Sequence, residues 1–236
     1  MIYYYEVMKM KLEGNVIAHR GVHNNQDIPE NSLLAFQKAL QKQIPIELDV
    51  QLTKDHVLVV FHDYSLFRMT GKKAYLQDLT YRELQELNLL ETNEKIPRLR
   101  DVLHLINNQV LLDIEVKNTH RFSDVCTELK KELSSYHHFV LKSFHPMLVK
   151  RLKKEFPNIE IGFLINDHYS NFLYDKFMTS KSILRYLKPD FIAVSKKLLK
   201  KKKIKNFAKD YQTMVWTIDS KDEMEEDDFV YICNHL

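Results

Sequence analysis

A (β/α)8 barrel, eight parallel strands each followed by a helix, is the fold this sequence predicts, and three observations predict it. Short β-rich apolar segments alternate with longer segments of helical spacing along almost the whole chain, the pattern of parallel strands joined by right-handed crossovers. Nine strand segments can be counted, and one of them is too close to its predecessor to be reached by a crossover. The competing fold, an open doubly wound sheet, usually carries a glycine-rich phosphate loop after its first strand; this chain has only four glycines and none forms such a loop.

The strand segments are Val16–His19, Ile46–Thr53, Val57–His62, Val110–Lys117, Phe139–Phe144, Glu160–Ile165, Phe191–Ser195, Thr213–Ile218 and Val230–Asn234. Only Lys54, Asp55 and His56 separate the second from the third. A link that short makes a hairpin, not a parallel crossover. The third segment therefore folds back antiparallel, and eight parallel strands remain. Helical spacing is clearest in 32–42, 96–108, 122–135, 145–156 and 196–211, and 168–187 also reads as helix. Residues 64–96, with a helix over 79–90, form a small insertion beside the barrel. No internal repeat is visible, and 236 residues make one barrel domain.

Composition narrows the function classes. A net charge of +3 gives no reason to expect a nucleic-acid partner. No apolar run approaches the ~20 residues that span a bilayer, and the aromatic start MIYYYEVMKMKLEGN lacks the pattern of a secretory signal. Cys126 and Cys233 are far apart without metal-type spacing, as expected of reduced thiols in a cytoplasmic protein. A basic block at 195–211 is followed by an acidic one at 219–229. The preferred account of the first is a solvated helix with Leu198, Leu199, Ile204 and Phe207 turned inward. The alternative is weak contact with an anionic membrane through 196–205.

In a barrel of this kind chemistry gathers at the C-terminal ends of the strands. The first strand ends in His19 and Arg20. The second, IELDVQL, puts Glu47 and Asp49 on one face and Ile46, Leu48 and Val50 on the other, because successive side chains alternate. The apolar face belongs against the helices, so the carboxylates face the barrel axis. LLDIEVK repeats the pattern with Asp113, Glu115 and Lys117. Acids stacked inside a barrel need a compensating positive charge. Oxygen ligands from Glu47, Asp49 and Glu115 suit a hard divalent ion, Mg²⁺ or Ca²⁺; a buried ion network with Arg20 and Lys117 is the competing account. A hairpin about Lys54-Asp55 sets His62 opposite Glu47, on the same face. Two imidazoles then converge on three acids and two cations. Imidazoles exchange protons near neutral pH, and Arg20 and Lys117 can hold phosphoryl oxygens. Together they read as metal-assisted cleavage of a phosphodiester.

The segments AHRG (18–21), PENS (29–32), ELDVQLTKD (47–55), VLVVFHD (57–63), LFRMTG (66–71), IPRLRDVL (96–103), LLDIEVK (111–117), KSF (142–144), VWTID (215–219) and YICN (231–234) resemble, in order and spacing, the glycerophosphodiester phosphodiesterases. The resemblance implies a TIM barrel with a small insertion. It implies His19 and His62 as the acid/base pair, Glu47, Asp49 and Glu115 as ligands of a divalent metal, and Arg20 and Lys117 as phosphate contacts. It also implies Trp216 as an aromatic lining of the glycerol site, with a barrel-core tryptophan as the alternative, and Glu30 near the metal. Asn31 or Ser32 caps the first helix. Ser143 is a weak further site candidate, and His145 reads as ordinary surface. The implied substrate is a small glycerophosphodiester, opened to glycerol 3-phosphate and an alcohol through a cyclic phosphate. The alternatives are a phospholipase D-like lipid phosphodiesterase at a membrane surface, and a non-catalytic barrel that keeps the fold as a binding module. Departures from the family pattern are His56 where glycine is common in the hairpin, Arg98 in place of threonine, and Asp219 where asparagine is common.

Overall fold

The computed structural model describes residues 16–166, 176–224 and 228–236. Its strands are β1 Val16–Ala18, β2 Ile46–Leu52, β3 Leu58–Val60, β4 Leu112–Val116, β5 Phe139–Ser143, β6 Ile161–Ile165, β7 Phe191–Ser195, β8 Gln212–Ile218 and β9 Val230–Cys233. They form one sheet in the order β1-β9-β8-β7-β6-β5-β4-β2-β3, closed by the pairing of Ala18 with Ile46. Eight strands are parallel, and β3 alone runs antiparallel, bonded to β2. The sequence therefore predicted both the closed barrel and its extra strand. β1 is only three residues long and pairs with β2 at the foot. The upper edge of β2 is thus open to β3, which pairs with it from Val50 to Leu52.

Strand alternation sorts the apolar residues. One buried cluster fills the space between barrel and helices, drawing on Ile46, Leu48, Val50, Ile114 and Val116. A second fills the barrel interior, with Ile17, Val140, Leu164, Phe191, Met214 and Ile232. Gly162 is required there, because a Cβ at that position would lie 2.2 Å from the Phe191 ring. A third cluster, around Leu66, Met69, Leu76, Leu84 and Leu89, belongs to the insertion and docks it on Val59 and Phe61.

The first helix, α1 Leu33–Gln41, is capped by Ser32, whose hydroxyl accepts from the Ala35 N–H; Asn31 has a different task. In the insertion, α2 Phe67–Thr70 precedes α3 Tyr81–Gln85, which is shorter than expected because its Thr80/Glu83 capping box fixes the start and Glu86 ends it. The barrel helices α4 Leu99–Ile106, α5 Phe122–Glu132, α6 Pro146–Glu155 and α7 Lys181–Leu187 follow. Of the expected helix over 168–187, residues 168–175 lie outside the described residues.

The single helix expected over 196–211 is instead two, α8 Lys196–Leu199 and α9 Lys202–Ala208. At 3.6 residues per turn, a continuous helix would set Ile204 roughly 240° around from Leu198. The break lets both bury. The Phe207 side chain lies outside the described residues. Lys196 pairs with Glu223 at 2.6 Å, so the acidic stretch neutralises the first lysine of the basic one. No described helix is long and apolar enough to cross a membrane. Cys126 and Cys233 are free and buried.

Candidate active site at the barrel mouth

β2 and β4 are in register, Glu47 beside Asp113 and Asp49 beside Glu115. All four side chains point into the barrel and are buried. Oxygens of Glu47, Asp49 and Glu115 lie within 4.8 Å of one another. Three hard oxygen donors this close, with water and substrate able to complete the shell, fit Mg²⁺ or Ca²⁺. The pKa values mark the crowding of charge. Burial, reinforced by the neighbouring carboxylates, pushes Glu47 up to about 8 although Lys142 opposes it. Asp49 goes the other way: burial works against it, but Lys117, Arg20 and His62 hold its carboxyl far below the usual range.

The cations are placed by the same strands. Lys117 follows β4 directly and reaches Glu115 at 2.8 Å and Asp49 at 3.3 Å. Arg20 turns off β1 with φ 55°, which aims its N–H at Glu47 (3.2 Å) and its guanidinium at Asp49 (3.3 Å) and Glu30 (2.7 Å). Gly21, at φ 83°, completes that turn; a Cβ there would meet Ala35 of α1 at 2.9 Å. Glu30 sits behind Arg20, also accepting from Arg68 and Asn25. Asn31 donates to Asp49 at 2.9 Å.

His19 and His62 approach this cluster from two sides. His19 Nε2 stands 4.0 Å from Glu47, while its Nδ1 is 2.6 Å from the Asn234 carboxamide oxygen. Burial, and next the Arg20 guanidinium, lower its pKa to about 3, so the ring is neutral. His62 comes close enough to contribute to the electrostatics of Asp49, but not by the expected register. Val50 faces Val60, so a continued ladder would oppose His62 to Leu48, not Glu47. The turn holds one residue more than expected, with His56 at φ 63°. The ladder ends with Phe61, and the Gln51 carboxamide then donates to the carbonyls of Phe61, His62 and Asp63, curling the chain over the rim. Asp63 holds His62 Nδ1 at 2.6 Å and is itself gripped by Arg68.

Trp216 lies at the top of the interior core, edge-on to Phe144 with ring centres 5.4 Å apart. The buried Ser143 hydroxyl donates to the Val116 carbonyl, stitching β5 to β4. His145 is half-buried and rests on Phe122, not on open surface. Sequence reasoning missed Lys142. Wholly buried, its ammonium lies 2.5 Å from Asp113 and 3.5 Å from Glu47. The signal was present, because a lysine in the middle of an apolar strand facing the acids of its neighbour needs a partner. Asp63 and Asn234 were also missed, although each lies within a quoted motif.

Fold and site define a TIM-barrel protein with a buried acidic cluster suited to a hard cation and two imidazoles at its C-terminal mouth. The glycerophosphoryl diester phosphodiesterase family matches residues 19–228. A glycerophosphodiester phosphodiesterase of Caldanaerobacter subterraneus subsp. tengcongensis is 32% identical over 226 residues, covering 89% of this chain and 88% of that one. A Bacillus altitudinis glycerophosphodiester phosphodiesterase is 34% identical over 173 residues, 64% of this chain and 66% of its own. Among solved structures, an Oleispira antarctica phosphodiesterase in complex with its product sn-glycerol-3-phosphate superposes with a TM-score of 0.75 at 22% identity, covering 93% and 92% of the two chains. The chain belongs to the glycerophosphodiester phosphodiesterase family, a family of phosphoric diester hydrolases.

Proposed function

We propose that the protein hydrolyses small glycerophosphodiesters to glycerol 3-phosphate and an alcohol, with His19 and His62 exchanging the protons and Glu47, Asp49 and Glu115 holding a divalent cation, Mg²⁺ or Ca²⁺. The observation that carries this reading is the meeting of three buried carboxylates within 4.8 Å of one another with a neutral imidazole 4.0 Å from the first. The names of the Caldanaerobacter and Bacillus relatives, and the product bound to the Oleispira protein, support the substrate class.

The chain's own groups divide the work. Arg20 and Lys117 are charged and face the cluster; burial works against Lys117, yet Asp49 and Glu115 outweigh it and raise its pKa. They bind the phosphoryl oxygens. His19, with Nδ1 turned to the Asn234 carbonyl oxygen, keeps a bare Nε2 toward the site and accepts the proton of the glycerol 2-hydroxyl. That oxygen bonds to phosphorus, the bond to the alcohol breaks, and His62, its Nδ1 held by Asp63, gives a proton to the leaving oxygen from Nε2. Water then opens the cyclic phosphate, with the two imidazoles in reversed roles. Trp216, packed edge-on against Phe144, would contact the glycerol part of the substrate. A bound divalent ion supplies charge neutralisation of the diester and eases deprotonation of the attacking hydroxyl.

The test is release of glycerol 3-phosphate from glycerophosphocholine and glycerophosphoethanolamine in Mg²⁺, in Ca²⁺ and with chelator. Turnover that chelator abolishes, and that His19→Ala and His62→Ala each remove without unfolding the protein, is expected. Chelator-resistant turnover, or near-normal rates in either variant, defeats the proposal.

A further inference from the structure

Three neighbouring strand ends carry a row of side chains, of which the reaction scheme above uses His19 and Asn234 but not Asp219. His19 follows β1, Asn234 follows β9 and Asp219 follows β8. Backbone bonds fix the three side by side: the His19 N–H donates to the Cys233 carbonyl at 3.0 Å, and the Asn234 N–H to the Ile218 carbonyl at 3.0 Å. The side chains continue the row. Asn234 Nδ2 donates to Asp219 Oδ1 at 2.9 Å, and Asn234 Oδ1 faces His19 Nδ1 at 2.6 Å.

A carboxamide can present either its oxygen or its amino group to a neighbour, and an imidazole facing it can answer with either tautomer. A lone asparagine beside His19 would therefore leave the ring's proton undecided. A carboxylate removes the ambiguity, because it only accepts. Asn234 must turn its amino group to Asp219 and its oxygen to His19. The neutral imidazole must then carry its hydrogen on Nδ1, and Nε2, the nitrogen facing Glu47, is left with its lone pair. Asp219 is itself anchored: its N–H donates to Glu223 at 3.1 Å, and Glu223 is paired with Lys196.

We infer that Asp219 is a positioning residue that sets the tautomer of His19 through the Asn234 carboxamide. The inference rests on the reading in which His19 accepts a proton at Nε2, but its structural half can be measured without substrate. Asp219 is exposed, so its replacement leaves the core untouched.

The test compares wild type, Asp219→Ala and Asp219→Asn. Two-bond ¹H–¹⁵N spectra of the His19 ring, recorded where it is neutral, should show a single Nδ1–H tautomer in wild type and a mixture in Asp219→Ala. In glycerophosphocholine turnover, Asp219→Ala should lower kcat by ~10-fold, the scale of lost supporting hydrogen bonds, with KM little changed. Asp219→Asn, whose carboxamide can donate as well as accept, brings the ambiguity back and should likewise show a mixture. A single Nδ1–H tautomer retained in Asp219→Ala overturns the inference, whatever happens to the rate. If wild type fails to turn over the diester yet the tautomer shifts as described, the reaction assignment falls and the positioning of His19 stands.

Discussion

Replacing Lys142 by methionine isolates the ion network beneath the site. Its side chain is 1% exposed, and the ammonium touches Asp113 at 2.5 Å and Glu47 at 3.5 Å. At an effective dielectric of about 20, the nearer contact alone is worth ~7 kcal/mol of Coulomb attraction. Taking ammonium and carboxylate out of water returns several kcal/mol per ion, so a net loss of ~3–5 kcal/mol is expected when one partner is removed. The second oxygen of Asp113 already has no hydrogen-bond partner, so nothing else in the barrel takes over. Urea unfolding with an unchanged slope should report that loss. It should also report its pH dependence. Burial already raises the Asp113 pKa; without Lys142 it rises further above the unfolded value. The deficit is then smallest in acid and grows as pH rises through the folded-state value. Adding Asp113→Asn removes the stranded charge and should restore stability to within ~1–2 kcal/mol of wild type. A single variant less than ~1 kcal/mol weaker than wild type, or a double variant no better than the single, would refute the reasoning.

Glu115→Gln removes one of the three carboxylates proposed to hold the ion and should raise the Ca²⁺ dissociation constant by roughly tenfold or more in calorimetric titration; equal affinity would show that the ion binds elsewhere. In the wild type, Ca²⁺ affinity should fall as pH drops below about 8, the value to which burial pushes Glu47, because the proton and the ion compete for one carboxyl. Glu30 titrates oppositely: burial works against it, but Arg68 and Arg20 bring it down from 4.5 to about 2. Its contribution, up to ~3 kcal/mol, is present above pH 4.5 and lost as pH falls through about 2, so Glu30→Gln should flatten the acid limb of the stability curve. Gly162→Ala drives a methyl into the buried Phe191 ring and should cost ~1–3 kcal/mol or more in thermal unfolding.

The sequence shows the barrel plainly because its signals are local. Alternation along IELDVQL and LLDIEVK fixes which side chains enter the interior, whatever else the chain does, and the three-residue gap at Lys54–His56 admits only a hairpin. What it hid depends on one-residue offsets and on distant partners. The turn at His56 shifts the β2–β3 register by one, and His62 reaches the site only because Gln51 gathers three carbonyls and bends the rim. Lys142 and Asp113 are 29 residues apart and Asn234 and His19 are 215 apart. Pairing of consecutive strands β4 and β5 makes the first pair neighbours, and the return of the last strand to β1 makes the second. The basic block misled for a related reason: helical spacing continued through it, while Leu198 and Ile204, both buried, would lie on different sides of one cylinder.

Charge balance explains why this mouth suits an anionic diester. Glu47, Asp49, Asp113 and Glu115 line the interior along β2 and β4, and Arg20, Lys117 and Lys142 answer them. Four acids against three bases leave one negative charge too many for a buried site. The upward shift of Glu47 marks where that excess is relieved, by a proton that a cation can replace. With a divalent ion in its place the interior carries one positive charge, which the single negative charge of a phosphodiester neutralises. A phosphomonoester dianion would overshoot that balance, and so would a second diester. The carboxyl count on two strands and the lysine on a third thus bias the pocket toward one diester per bound ion, before any contact to the alcohol is considered.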